Sequence, residues 1–216
     1  MVARFLRRKE HLITIIDYGL GNLRSVQKAF EHLGVPAEIT SDAGQIARAD
    51  KLVLPGVGAF AAGICGLRAR GLIEPIQRAA AQGVPLFGIC LGMQLLFESS
   101  EEVGDGFEQE TGLGLLQGCV TRLPSDDLVV PHVGWNQIRV MRDAALLHEV
   151  PNGAYAYFVH SYICQPRDAN VVLATTDYGI AFASVVAREN VWGIQFHPEK
   201  SQQVGLRILR NFLEMV

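Results

Sequence analysis

Long apolar runs are missing from this chain: no stretch approaches the ~18 residues that a membrane helix needs, so no membrane span is expected. Cysteine is sparse. Its four residues lie at 65, 90, 119 and 164, with no C-x-x-C pair and no Cys/His spacing suited to zinc. A disulfide-stapled secreted module and a structural zinc site are both disfavoured, and a reduced, cytoplasmic protein is expected. Positive charge is not in excess. The net charge of −3 argues against nucleic acid as the main partner. Internal repeats, low-complexity tracts and linkers are also lacking. The first eleven residues carry Arg4, Arg7, Arg8 and Lys9 but no apolar core of a signal peptide. They read as a flexible extension of unassigned role before one domain at 12–216.

The remaining composition, 49% apolar in 216 residues, is enough for one α/β domain with a sizeable core. Leu12 to Asp17 is a β-branched run suited to a buried parallel strand. A glycine-containing turn follows. Leu23, Val26, Phe30 and Leu33 then mark one face of a helix that stops at Gly34. Ala37 to Thr40 reads as a weak strand, Ala43 to Arg48 as a short helix, and Lys51 to Leu54 as a third strand entering the loop Pro55–Gly58. Residues 59–82 have helical content, with breaks expected at Gly63, Gly71 and Pro75. A strand at Val84 to Gly88 and a helix to about Glu98 complete a strand-helix alternation. That alternation predicts a central, mostly parallel sheet with helices on both faces.

Residues 104–114 are glycine-rich and acidic, as expected for a loop at the rim of a site. Short apolar runs at 115–123, 127–130, 135–141, 154–160, 170–175, 180–187 and 190–196 predict added antiparallel or mixed strands. Ser201 is the expected N-cap of a last helix.

Val84 to Gln94, V-P-L-F-G-I-C-L-G-M-Q, places Cys90 between Gly88 and Gly92. This is the spacing of a nucleophile elbow with cysteine for serine. Glycine on both sides permits a sharp turn from strand to helix, and the following helix favours thiolate over thiol. A buried structural cysteine is the competing reading. Downstream, V-W-G-I-Q-F-H-P-E-K ends an apolar run in His197 and Glu199. Side chains two apart in an extended segment point the same way, so the carboxylate can orient the imidazole, and Pro198 keeps His197 extended. An incidental ion pair at a strand end is the alternative here. Both segments fall at the carboxyl ends of expected strands, where open α/β sheets form their sites. The backbone N–H of Leu91 and the glycine-rich turn Pro55-Gly56-Val57-Gly58 are the candidate oxyanion donors.

These residues resemble the class I, triad-type glutamine amidotransferases. G-I-C-L-G-M-Q-L-L-F with a later F-H-P-E carries the resemblance, which spans the chain from Leu12 onward. A narrower likeness, to the glutaminase subunits of imidazole glycerol phosphate synthase, rests on I-D-Y-G-L-G-N-L-R-S-V at 16–26 and L-P-G-V-G-A-F at 54–60. It rests also on P-H-V-G-W-N at 131–136, Y-F-V-H-S-Y at 157–162 and H-P-E-K-S at 197–201. The resemblance implies a single-domain amidotransferase fold of flavodoxin-like or α/β-hydrolase-like kind, and no cofactor or metal. It implies Cys90 as nucleophile, His197 as base and then acid, and Glu199 as its orienting group. Val57 and Leu91 would supply the oxyanion amides, and Gly56, Gly58, Gln94, Glu102, Ser161 and Tyr162 would hold glutamine. Trp135, Asn136, Tyr157 and Lys200 would face the partner, a (β/α)8 cyclase subunit in a heterodimer that receives ammonia. His132 and His160 are expected to be structural neighbours of the site, and Cys65, Cys119 and Cys164 packing residues.

Three rivals remain on sequence grounds. They are an amidotransferase of another synthase, such as one of anthranilate type, a catalytically silent binding subunit, and a cysteine hydrolase acting alone.

Overall fold

The computed structural model describes residues 12–102, 110–124, 128–214 and 216. The expected N-terminal extension and most of the expected rim loop at 104–114 lie outside them.

Strand and helix alternate through the first half. β1 (Ile13–Ile16), α1 (Leu23–His32), β2 (Ala37–Thr40), α2 (Ala43–Ile46) and β3 (Lys51–Gly56) come first. α3 (Phe60–Ala69), α4 (Ile73–Ala81), β4 (Leu86–Cys90) and α5 (Leu91–Leu95) follow. Strands then take over: β5 (Ser99–Ser100), β6 (Gly118–Arg122), β7 (His132–Val140), β8 (Ala154–His160), β9 (Tyr162–Pro166), β10 (Val172–Tyr178), β11 (Ile180–Arg188) and β12 (Val191–Ile194). The helix α6 (Gln202–Glu214) ends the fold.

Nine strands form one sheet in the order β2-β1-β3-β4-β12-β11-β10-β7-β8. The first five run parallel, and β11, β10, β7 and β8 extend the sheet in antiparallel fashion. The parallel strands are apolar on both faces because helices cover both. Ile13, Ile15, Val53 and Phe87 point to the side of α1 and α6, where Phe87 stacks on Phe212 with ring centroids 4.9 Å apart. Ile16, Leu52, Leu54 and Leu86 point to the other side, against α2 to α5. The buried Lys51 joins the layers: its Nζ donates to the carbonyls of Phe212 (2.8 Å) and Leu213 (2.9 Å). These belong to the last turn of α6, whose carbonyls have no partners within the helix. A smaller sheet, β5-β6-β9, carries the chain past the site.

Several sequence expectations change. Gly63 does not break α3. A side chain there would meet Leu95 Cδ2 at 3.0 Å, so glycine lets α3 approach α5. Pro75 lies in the first turn of α4, where an amide hydrogen would have no partner, and only Gly71 separates the helices. The helix after the elbow ends at Leu95, not Glu98. The carbonyls of Leu95, Leu96 and Phe97 are taken by amides of residues 113–116. The apolar run at 128–130 is not a strand, whereas Tyr162–Pro166 is one in its own right. Ser201 precedes α6 but does not cap it. Its hydroxyl donates to the His197 carbonyl (2.6 Å) and accepts from the Tyr157 amide (3.0 Å).

Candidate active site

β4 delivers Cys90 at the carboxyl end of the sheet, between β3 and β12. Cys90 has φ 55 and ψ −111, a left-handed backbone that costs a non-glycine residue of order 1–3 kcal/mol. The neighbouring glycines hold it there. A Cβ on Gly88 would lie 2.7 Å from the Gly92 carbonyl oxygen, and one on Gly92 would lie 1.7 Å from that of Leu54. The elbow is therefore a point where three backbone segments touch.

β12 is paired with β4 as Ile194↔Ile89, and its extension brings His197 to the same region. His197 Nδ1 bonds Glu199 Oε1 at 2.9 Å, with both side chains buried. The carboxylate accepts, so the proton of the imidazole sits on Nδ1 and Nε2 is left open. That Nε2 has no hydrogen-bond partner in this arrangement, and neither has Glu199 Oε2. Burial alone lowers the basicity of His197. Cys90 and Glu199 outweigh it and raise its pKa to about 9. With its pKa there, Nε2 also carries a proton at neutral pH, so an imidazolium sits beside the sulfur and becomes a proton acceptor only after giving that proton up.

A cavity of about 490 Å³ opens over Cys90. Of the residues singled out in the sequence, Val57, Gly58, Leu91, Gln94, Glu102, Ser161, Tyr162 and Lys200 line it. Gly56 does not. It ends β3 beneath the cavity, where a Cβ would fall 2.1 Å from the Tyr18 hydroxyl. Gly58 has φ 109, a conformation open to glycine. Glu102 Oε2 accepts the Phe60 amide (2.7 Å), and burial pushes its carboxyl up despite that bond. Lys200 also places its Nζ 5.5 Å from the centre of the Tyr157 ring.

The β7–β8 hairpin separates the residues expected at a partner surface. Trp135 faces Tyr157 across the ladder, and alternation puts Val133 and Tyr155 on that same face. Trp135 is 46% exposed, Tyr155 55% and Val133 56%. Asn136 belongs to the opposite face. Its carboxamide donates to the Asp177 carbonyl (2.8 Å) and meets His132 Nε2 at 3.3 Å.

From there a relay of bonds runs inward. His132 Nδ1 meets His160 Nε2 at 3.0 Å, and His160 Nδ1 meets the Tyr162 carbonyl at 2.9 Å. The carbonyl can only accept, so each histidine carries one proton, on Nδ1. His160, expected from the sequence as a structural neighbour of the site, also lines the cavity. Gln195 was not singled out in the sequence, although it lies two residues before His197 in the segment that follows β12.

Burial keeps both histidines neutral, lowering His132 to about 4 and His160 to about 3. The unfolded chain takes up protons below pH 6.5 that the folded one refuses. The stability from this pair is therefore complete above pH 6.5 and lost as pH falls toward 4. Each group contributes a slope of about 1.4 kcal/mol per pH unit in that window. In His160→Gln, the amide can still donate to Tyr162 and accept from His132. Urea unfolding at pH 7, 6 and 5 is expected to show about half the wild-type loss from this pair. An unchanged slope would remove the pair as its source.

The arrangement pairs a thiol with an oriented base under a cavity bordered by candidate backbone donors. The sequence matches the profile of the glutamine amidotransferase class-I family over residues 14–216. The chain belongs to that family. Among amidotransferase relatives, it is 53% identical over 204 residues to "Imidazole glycerol phosphate synthase subunit HisH" of Moorella thermoacetica, covering 94% of this chain and 95% of that one. It is 54% identical over 210 residues to the protein of the same name from Syntrophotalea carbinolica, with 94% and 100% covered. A solved structure titled "Crystal structure of glutamine amidotransferase" superposes with TM-score 0.72 at 22% identity, covering 94% of this amidotransferase and 97% of the other chain. At that identity the likeness speaks for the fold.

Proposed function

We propose that this chain is the glutaminase subunit of an imidazole glycerol phosphate synthase. The observation that carries the reading is the His197–Glu199 pair coupled to Cys90, which itself lines the cavity, in a chain more than half identical to relatives of that name. The Cys90 thiolate attacks the side-chain amide carbon of glutamine, and Val57 and Leu91 hold the resulting oxyanion through their amides. The C–N bond breaks as His197 Nε2 gives a proton to the leaving nitrogen, which departs as ammonia. Water, deprotonated by His197, then opens the γ-glutamyl thioester and releases glutamate and the thiol. Gly56, Gly58, Gln94, Glu102, Ser161 and Tyr162 form the proposed glutamine site.

The ammonia passes to a (β/α)8 cyclase subunit, which uses it to form imidazole glycerol phosphate and an aminoimidazole carboxamide ribotide. Trp135 and Tyr157 on the exposed hairpin face, with Lys200 beside them, suit a docking surface rich in aromatic anchors. The inward-turned Asn136 would act on that surface through backbone placement. Residues 12–216 are the proposed amidotransferase domain, with 1–11 an extension outside it.

Glutamate release is to be measured for the chain alone, with the cyclase subunit, and with that subunit plus its ribonucleotide ligand. A low rate alone that rises about tenfold or more with the loaded partner is expected. A high rate that ignores the partner would replace this reading with that of a free hydrolase.

A further inference from the structure

Gln195 lies just past the end of β12, and the register Ile194↔Ile89 carried on by one residue sets it beside Cys90. Its side chain is fully buried. Two contacts define it. Gln94 Nε2 meets Gln195 Oε1 at 3.2 Å, and Gln195 Nε2 meets Cys90 Sγ at 3.7 Å.

The orientation of both carboxamides follows from the far end of the chain of bonds. Gln94 Nε2 also donates to the Tyr162 carbonyl at 3.1 Å, and a carbonyl can only accept. Gln94 must therefore present its nitrogen, so Gln195 must answer with its oxygen. The nitrogen of Gln195 is left aimed at the sulfur. The Tyr162 carbonyl is itself fixed by a second donor, His160 Nδ1. On its other side Cys90 Sγ has the Val159 carbonyl at 3.9 Å, an acceptor for the thiol proton. The sulfur thus sits between a group that suits S–H and a group that suits S⁻.

We propose that Gln195 is a positioning residue of the glutaminase reaction. It orients the Cys90 sulfur and favours its thiolate by donating one amide hydrogen, while its oxygen steadies Gln94. This rests on the reading of Cys90 as nucleophile. A donor fixed by burial acts without reorganising when the charge appears, which is where such a bond is worth most.

The test is alkylation of Cys90 by iodoacetamide, followed by peptide mapping, at pH 7 and pH 10 in the full chain. In Gln195→Met, which keeps length but loses the donor, the rate at pH 7 is expected to fall about tenfold while the rate at pH 10 stays within about twofold. Gln195→Glu keeps the acceptor for Gln94 but turns an acceptor toward the sulfur. It is expected to lose at least as much at pH 7, with kcat reduced and KM for glutamine near wild type in the partner complex. A folded variant with the wild-type pH profile would overturn the proposal. In the wild-type chain, folded Cys90 should keep more of its pH 10 rate at pH 7 than the same cysteine in urea, an excess to which the neighbouring His197 also contributes and which Gln195→Met should reduce; an equal or smaller share in the wild type would overturn the proposal. The reading of Cys90 fails separately, if complete alkylation of that residue leaves glutamine turnover intact.

Discussion

Cys90→Ala is expected to abolish synthesis from glutamine while leaving synthesis from ammonium salts, in the complex with the cyclase subunit, close to wild type. Removing a nucleophile that acts together with its base and oxyanion donors costs at least about 10⁴-fold in comparable triads. Losing one buried sulfur from a side chain that is 5% exposed should disturb packing little. The strained φ of 55 remains, held by the same backbone crossings at Gly88 and Gly92. The hairpin face bearing Trp135 and Tyr157 belongs to β7 and β8, which the Cys90 sulfur meets at the Val159 carbonyl at 3.9 Å, a weak contact whose loss should leave docking intact. The two measurements separate the chemistry from the assembly. Loss of both syntheses would mean that Cys90 holds the complex together rather than cleaving glutamine. Retained synthesis from glutamine would remove Cys90 from the reaction.

His197→Gln in the same assay would lose the acid and base but keep a polar side chain near Glu199. Its stability should shift in the sense opposite to that of the His132–His160 pair. A group raised to about 9 stabilises the fold fully below pH 6.5, and that contribution fades as pH rises through 9. The two kinds of buried histidine therefore bracket a pH range from about 6.5 to 7.5 in which the fold keeps most of both contributions.

The parallel half of the fold was legible because its signals are local. Apolar runs bounded by glycine mark β1, β3 and β4, and G-x-C-x-G marks the turn that follows. The partner strand β12 was legible only as an apolar run, yet its polar end at His197 and Glu199 pointed to the site. Glycine and proline misled where contact or position overrules propensity. Gly63 serves the approach of α3 to α5, and Pro75 occupies a first turn that needs no amide hydrogen. The early end of α5 could not be read because its carbonyls bond residues some twenty positions later. Gln195 escaped for a related reason. Its role follows from a relay through Gln94 and Tyr162, and only tertiary structure brings those residues together.

Gly92→Ala should be the most damaging single-methyl change at the elbow, because it tests what holds Cys90 in place. The added carbon would fall 1.7 Å from the carbonyl oxygen of Leu54 and 2.7 Å from its carbon. Both are backbone atoms of β3, in the middle of a fully buried parallel sheet, so no side chain can turn aside. Relief requires α5 to lift from β3, which would break the contact that fixes the Leu91 amide and the sulfur beside it. A cost of about 3 kcal/mol or more in urea unfolding is expected, at the upper end of overpacking effects. Gly71→Ala is the matched comparison. Its φ of 64 also disfavours a side chain, but nothing lies within 4 Å of the added carbon. There the cost should stay near the 1–2 kcal/mol of a left-handed residue, at about 1 kcal/mol. If the two variants proved equally stable, the close approach at Gly92 would cost no more than the positive φ at Gly71, and the crossing of β3 and α5 could not be what keeps Cys90 strained. A larger loss at Gly92 would tie that strain to the close approach of β3.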